Sequence, residues 1–276
     1  MGEDFTEMNA VIACSLKDSA GKNIRDRLIE YFPFKMTGKE FESSPVYSFG
    51  EIMLVSSQMD IVHVNSLEES FGIGKYVFLS RHRAESGIPS LTAHFPGNFG
   101  SADFGGNPGE LARFSPSLLK NYLTELKTMQ NEIDRAYNIT LEATHHGPTA
   151  LKSTALFVEL GTTEDQWKDA KTALPIAKAL IAALTSQKKY GKCAVGIGGS
   201  HYSEKMNKWI FDSNVALGHI IPKHSMGCFN ESILAQMIRK GDQKINIAIV
   251  DSKGMGKYKQ SAMKMLERSG LEIVIA

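Results

Sequence analysis

The chain has 276 residues, which at ~150 residues per domain sets a prior of one large domain or about two. Hydrophobic residues make up 42% and charged ones 22%, and 31 basic against 30 acidic side chains leave a net charge of +1. This composition excludes long disorder and any global basic field for holding nucleic acid, so an RNA partner must be met by a local patch. The length suffices to bury an apolar core without disulfide or metal staples. Three scattered cysteines, Cys14, Cys193 and Cys228, form no CxxC pair, which points to a reducing compartment and away from a Cys-rich zinc module. The acidic amino-terminal run MGEDFTEMNAVIACSL has too short an apolar stretch for a signal peptide or a span. A cytoplasmic protein without membrane contact is therefore expected.

In chain order, Ala10–Leu16 reads as a buried strand and Asp18–Phe32 as a helix with an Asp/Ser start. Glu51–Val55, Asp60–Leu67 and Tyr76–Ser80 are strand-like. From Arg81 to Pro116 the periodicity stops in a stretch rich in Gly and Pro, a long loop of the kind that carries function or mobility. Ser117–Tyr137 places Leu119, Tyr122, Leu126, Met129 and Ile133 at spacings of three and four, an amphipathic helix. Strands Ile139–Ala143 and Ala155–Leu160 follow, then a helical region from Thr163 that Pro175 is expected to split near the first turn of a second helix. The remainder alternates: strand Cys193–Ile197, helix Glu204–Trp209, strand Val215–Ile221, helix Glu231–Arg239, strand Ile245–Val250, helix Tyr258–Arg268 and strand Leu271–Ile275. Such alternation predicts an α/β protein with a largely parallel sheet covered on both faces. With no linker or repeat, residues 1–276 are expected to form one unit, the region 81–137 standing off at most as a subdomain.

Histidine placement is the informative feature. Of eight histidines, His82 lies just past YVFLS, His145 and His146 just past NITLEA, and His201 just past CAVGI, while His219 and His224 straddle the end of NVALGHII. Ligands of open α/β sheets bind beyond the carboxyl ends of the strands, so most of these imidazoles are expected at one edge. His63, inside IVHVN, reads as a core or sheet-face residue. Any single histidine is more often a polar loop filler; the repeated position at strand ends argues for a site. Neutral imidazole suits Zn²⁺, and carboxylates complete hydrolytic sites that keep one position open for water. Glu142, Glu159 and Asp103 are the candidate carboxylates. No HExxH occurs, and a metal-free site with His as general base and Asn or Asp as orienting group is the rival.

Three other segments carry weaker signals. GIGGSHY (196–202) fails as a dinucleotide fingerprint because His201 holds the third glycine position, so no nucleotide cofactor is expected. It reads instead as a tight turn presenting His201. In TAHFPGNFG (92–100), Phe95 and Phe99 offer stacking faces and Asn98 amide hydrogen bonds to a nucleotide, or the segment is an Ω-type surface loop. Two small basic clusters with tyrosines, Lys188–Lys192 and Lys253–Lys259, read first as solvated surface and second as RNA contacts.

Taken together, TAHFPGNFG, LEATHHGPT, the strand-end Glu159 with GTTEDQW, GIGGSHY and GHIIPKH run in order from Thr92 to His224. This series resembles the archaeal and plant type of D-aminoacyl-tRNA deacylase. The resemblance implies hydrolysis of the ester linking a D-amino acid to the tRNA 3′ end, with zinc dependence and a cytoplasmic location. It also implies a three-layer α/β/α, phosphorylase/hydrolase-like fold akin to bacterial peptidyl-tRNA hydrolase. The expected metal ligands are drawn from His82, His145, His146, Glu159, His219 and His224, and the expected catalytic set is His145, His146, Glu142, His201 and His82. His94, Phe95, Asn98, Gly198, Gly199 and Lys257 are expected to meet the aminoacylated 3′ end, the glycine amides as oxyanion donors. A zinc peptidase or amidase and a non-catalytic RNA-binding protein are the competing functions.

Overall fold

Strand β1 (Ala10–Ser15) is buried along its whole length, as an unbroken apolar run requires when both sheet faces are covered. The computed structural model describes residues 10–64, 66–134 and 136–276, so the acidic start of the amino-terminal run lies outside the described residues. Helix α1 (Ser19–Tyr31) follows, its first turn capped by Asp18, whose carboxylate accepts from Gly21 N at 2.8 Å. The other oxygen of Asp18 accepts from Arg81 N at 3.0 Å, so one side chain ends a helix and pins the strand that leads into His82. Next come β2 (Lys35–Phe41), β3 (Ser44–Phe49), β4 (Ile52–Ser57), α2 (Leu67–Phe71), β5 (Lys75–Arg81), β6 (Ser90–His94) and α3 (Pro116–Thr128). Then follow β7 (Asn138–Leu141), β8 (Thr154–Leu160), α4 (Glu164–Trp167), α5 (Ala170–Thr185), β9 (Lys192–Ile197) and α6 (Glu204–Asp212). The chain finishes with β10 (Val215–Ile221), α7 (Glu231–Arg239), β11 (Ile247–Val250), α8 (Lys259–Arg268) and β12 (Glu272–Ile275).

Among the described residues the strands form a mixed sheet of order β2-β3-β4-β1-β5-β8-β6-β7 and a second of order β10-β9-β11-β12. The second sheet is parallel throughout. In the first, β2–β3, β3–β4 and β6–β8 pair antiparallel, and the other pairs are parallel. The mostly parallel α/β architecture is thus present, and one cluster of buried apolar side chains runs through both sheets, from Ile12 and Val158 to Val195 and Leu266.

Several segments depart from the sequence expectation for identifiable reasons. The described residues of 60–67 form no strand: Ile61–His63 is a 3₁₀ turn and α2 begins at Leu67. Ile61, Val64 and Leu67 are buried, three apart rather than two, which is a helical-turn spacing. The β2–β3 hairpin carries no Asn-Gly or Asp-Gly signal; its turn puts Glu42 and Ser43 themselves at positive φ. Within the Arg81–Pro116 stretch, β6 is only five residues long and is hemmed by prolines. Helix α3 stops at Thr128, while Ile133 and Tyr137 are buried by turns that prolong the apolar spacing without the helix. Pro175 lies inside α5, and the break precedes it at Asp169, which caps the helix by accepting from Lys171 N and Thr172 N.

Candidate active site

The antiparallel run of β6 beside β8 builds the heart of the site. Thr92 lies opposite Glu159 and His94 opposite Phe157, and because side chains alternate along a strand, these pairs share one face of the sheet. Thr92 Oγ1 donates to Glu159 Oε2 at 3.2 Å, and the His94 ring stacks on Phe157 with centroids 5.2 Å apart. His82 arrives from the end of β5, and Glu142 follows β7, its amide hydrogen-bonded to Ala93 O. Beyond Glu142 the chain crosses to the second sheet: Ala143 N donates to His201 O and Thr144 N to Ile220 O. Those two bonds bring the loop after β9 against the His145–His146 pair. The convergence therefore spans a sheet edge and a sheet face, whereas the sequence reading placed it at the edge alone; strand direction, which periodicity does not encode, makes the difference.

The distances are those of a single cluster. His201 Nε2 donates to Glu142 Oε2 at 2.8 Å, and His82 Nδ1 lies 3.1 Å from Glu142 Oε1 and 3.4 Å from Glu159 Oε2. The His145 ring centroid is 4.0 Å from His94, 4.4 Å from His146 and 4.8 Å from His201. Burial pulls the His82 imidazolium down, but the two carboxylates outweigh it and hold its pKa at about 10. Burial pushes Glu159 up to about 7 against the pull of His82. Burial also raises Glu142, yet hydrogen bonds from His201 and His82 hold it well below the usual carboxylate range. His94, His145 and His146 are held neutral chiefly by burial and then by the potential charge of neighbouring imidazoles, His145 acting on the other two and His201 on His145, with His146 down to about 3.

Two of these imidazoles have a defined tautomer. A carbonyl oxygen can only accept, so His145 Nδ1–H donates to Ala143 O at 2.8 Å and His146 Nδ1–H to Gly147 O at 2.7 Å. Each Nε2 is left with a lone pair, which is the state that ligates metal, with a carbonyl fixing the ring from behind. His146 itself adopts φ +45°, a left-handed backbone that costs energy in a non-glycine residue and persists where the surroundings enforce it. His94 Nδ1 is buried without a hydrogen-bond partner among the described residues. Three groups bring ligand atoms within 4.8 Å of one another: His94 with His145 and His146, Glu142 with His145 and His201, and His82 with Glu142 and Glu159. The donor set and its neutral imidazoles fit a divalent cation.

A cavity of about 570 Å³ opens over this cluster, reached past Ser15, Asp18, Ser80 and Arg81 at the ends of β1 and β5. Asp103 lines it but is exposed and bonds Ser101. His63, read as a core or sheet-face residue, is exposed and lines the same cavity. Other expected site residues lie elsewhere. His219 is 0% exposed, with one ring nitrogen on Thr144 Oγ1 and the other on Ala112 O; both positions are used, so it belongs to the core and not to a metal site. His224 is exposed, 6.2 Å from His201 between ring centroids, and in none of the ligand groups. Phe95 packs against Phe114 and His219 and offers no stacking face. Asn98 spends its amide on Gly105 O and Asn107 O, bracing its own loop. Gly198 N donates to Ile221 O, so this amide is not free for an oxyanion. Gly199 and Lys257 line neither this cavity nor its neighbour. In the Lys188–Lys192 basic cluster, Tyr190 is buried beneath Lys120 and Lys188.

Sequence reasoning missed Tyr202 and Trp167. Tyr202 Oη lies 3.3 Å from His82 Nε2 and its ring abuts His201, while Trp167 Nε1 donates to His82 O at 3.0 Å. Both stand inside the quoted motifs, so the signal was present, but only packing shows which partner each addresses.

An α/β crevice in which neutral imidazoles face buried carboxylates defines a hydrolase-type site. The sequence model of D-aminoacyl-tRNA deacylase matches residues 70–274. The D-aminoacyl-tRNA deacylase of Pyrococcus horikoshii is 32% identical over 274 residues, covering 96% of this chain and 98% of its own. That of Thermococcus kodakarensis is 32% identical over 272 residues with the same coverage. A crystal structure described as a conserved protein of unknown function superposes with a TM-score of 0.89 at 28% identity, covering 97% of this chain and 95% of its own. The chain belongs to the D-aminoacyl-tRNA deacylase family. No helix among the described residues is long and apolar enough to cross a membrane.

Proposed function

We propose that the cavity lined by His82, Glu142, His145, His146, Glu159 and His201, with His94 buried behind it, is where this enzyme hydrolyses the ester of D-aminoacyl-tRNA, releasing the D-amino acid and reusable tRNA. One observation carries the assignment of the site: four imidazoles and two carboxylates from distant segments meet in one cavity. An amidase or a purely RNA-binding role is disfavoured by membership of the deacylase family. Zinc is the cation that suits this donor set, and His94, His145 and His146 would hold it through their ring nitrogens. When bound, it supplies a Lewis acid that polarises the ester carbonyl and makes hydroxide available near neutral pH.

The protein's own groups do the rest. His201 Nε2–H is anchored on the ionised Glu142, which fixes the ring and leaves Nδ1 as a base able to take a proton from attacking water. The same ring gives that proton to the ribose oxygen as the ester C–O bond breaks, so that tRNA leaves with a free hydroxyl. His82, protonated between Glu142 and Glu159, holds both carboxylates in place and donates through Nε2–H to Tyr202 Oη.

Single-turnover hydrolysis of D-tyrosyl-tRNA tests this reading alongside metal content. His145→Gln is expected to weaken zinc binding and lower the rate by on the order of 10–100-fold, the range for a disturbed metal site. His201→Ala is expected to keep zinc and lose about 10²–10⁴-fold in kcat, the range for a general base. Full activity in rigorously chelated protein, or in both variants, would contradict the assignment.

A further inference from the structure

A second cavity of about 600 Å³ adjoins the first, and the two linings share only His82 and Tyr202. The partition consists of the residues that bound the reactive cluster. We infer that this second cavity is a nucleotide subsite, taking the terminal nucleoside of the tRNA 3′ end together with its 5′ phosphate. The inference rests on the reading of the first cavity as the place of ester cleavage.

An aminoacyl ester extends in opposite directions from its carbonyl, acyl group one way and ribose the other. A site that cleaves it therefore needs two spaces meeting at the reacting atoms, and this partition provides them. The chemistry of the second space suits a nucleotide. Its floor is β7, one wall is α6, and the apolar surface comes from Phe211, Ile139 and the 49%-exposed Ile88. A half-buried phenyl ring offers a stacking surface that every base can use. Lys127 and Lys208 are exposed on the same lining, Lys127 Nζ lying 5.7 Å from the Phe211 centroid, so cation and ring address one ligand patch. Ammonium groups beside a ring match a phosphate beside a base. Glu204 and Asp212 lie on the same lining and offset the two lysines; they are acceptors for ribose hydroxyls or an exocyclic amine. The mixture selects a nucleotide over an inorganic anion.

The test titrates adenosine 5′-monophosphate into the zinc-loaded full chain by calorimetry and uses it as a competitor of D-tyrosyl-tRNA hydrolysis. Wild-type protein is expected to bind it and to be inhibited competitively. Lys208→Glu and Phe211→Leu should each weaken that binding about tenfold, and raise KM for D-tyrosyl-tRNA more than they lower kcat. Lys188→Glu, an identical charge change away from both cavities, serves as control and should alter neither. Thermal midpoints equal to wild type show that the variants are folded; should Phe211→Leu unfold, Lys127→Glu replaces it. Unchanged nucleotide affinity in both variants, or an equal loss in Lys188→Glu, overturns the subsite. If hydrolysis proceeds in that case, the functional assignment survives alone. If nucleotide binding is lost in the variants but wild type cleaves no D-aminoacyl-tRNA, the subsite stands and the ester-cleaving role falls.

Discussion

Lys120 is 3% exposed, yet its ammonium donates to Ile210 O at 2.7 Å and Ser213 O at 2.6 Å, closing the carboxyl end of α6. Burial, then the nearby Lys188 ammonium, lowers its pKa to about 8. The folded state therefore releases this proton before the unfolded chain does, and between pH ~8 and ~10.4 the unfolded chain binds more protons. Stability is expected to rise across that window through this group, and Lys120→Met should flatten the rise while costing about 2–3 kcal/mol in lost bonds to the two carbonyls. Urea unfolding at several pH values measures both. Tyr122 presents the opposite case: fully buried, its hydroxyl has no partner among the described residues. An unsatisfied buried hydroxyl costs about 1–3 kcal/mol, so Tyr122→Phe is expected to raise the melting temperature, and a lower value would reveal a missing partner. At this scale the sequence marked the residue types that converge but not always which copies of them do. His145, His146 and His201 were legible from their place after strands. His219 looked the same on paper, and only the bonds to Thr144 and Ala112 show that its nitrogens are spoken for.

Elements were legible where burial follows a simple period. Strand β10 and helix α7 have the ends that apolar runs and caps announce. Strand β10 carries a register shift between Leu217 and Ile220, and Gly218 within it lies so close to Phe114 that a Cβ would run into the ring. Gly218→Ala is accordingly expected to cost about 1–3 kcal/mol through overpacking, read as a lower urea midpoint. Asp169 controls the start of α5 through bonds to Lys171 N, Thr172 N and Thr172 Oγ1. Asp169→Ala should cost about 1 kcal/mol, the usual worth of a cap. The short pieces were not legible. β6 has five residues and the β2–β3 turn uses no glycine, so neither carries enough periodic signal to stand out from loop.

On the scale of the whole molecule, a single apolar cluster joins the two sheets. Shared burial couples them, so circular dichroism and tryptophan fluorescence are expected to report one coincident denaturant transition; two separated transitions would divide the chain. The strand–helix rhythm, the ordered motifs and the supply of neutral-pH ligands were present in the linear chain, because local periodicity and residue chemistry are properties of neighbours. Sequence alone therefore determined the α/β class, the family resemblance and the stock of imidazoles and carboxylates. Tertiary structure decided which of them meet. The reversal of β6 against β8 carries His94 onto Phe157 and Thr92 onto Glu159, and two backbone bonds from residues 143 and 144 draw His201 to the His145–His146 pair. Strand direction and long-range backbone pairing depend on how distant segments bury one another, and no local pattern contains that information.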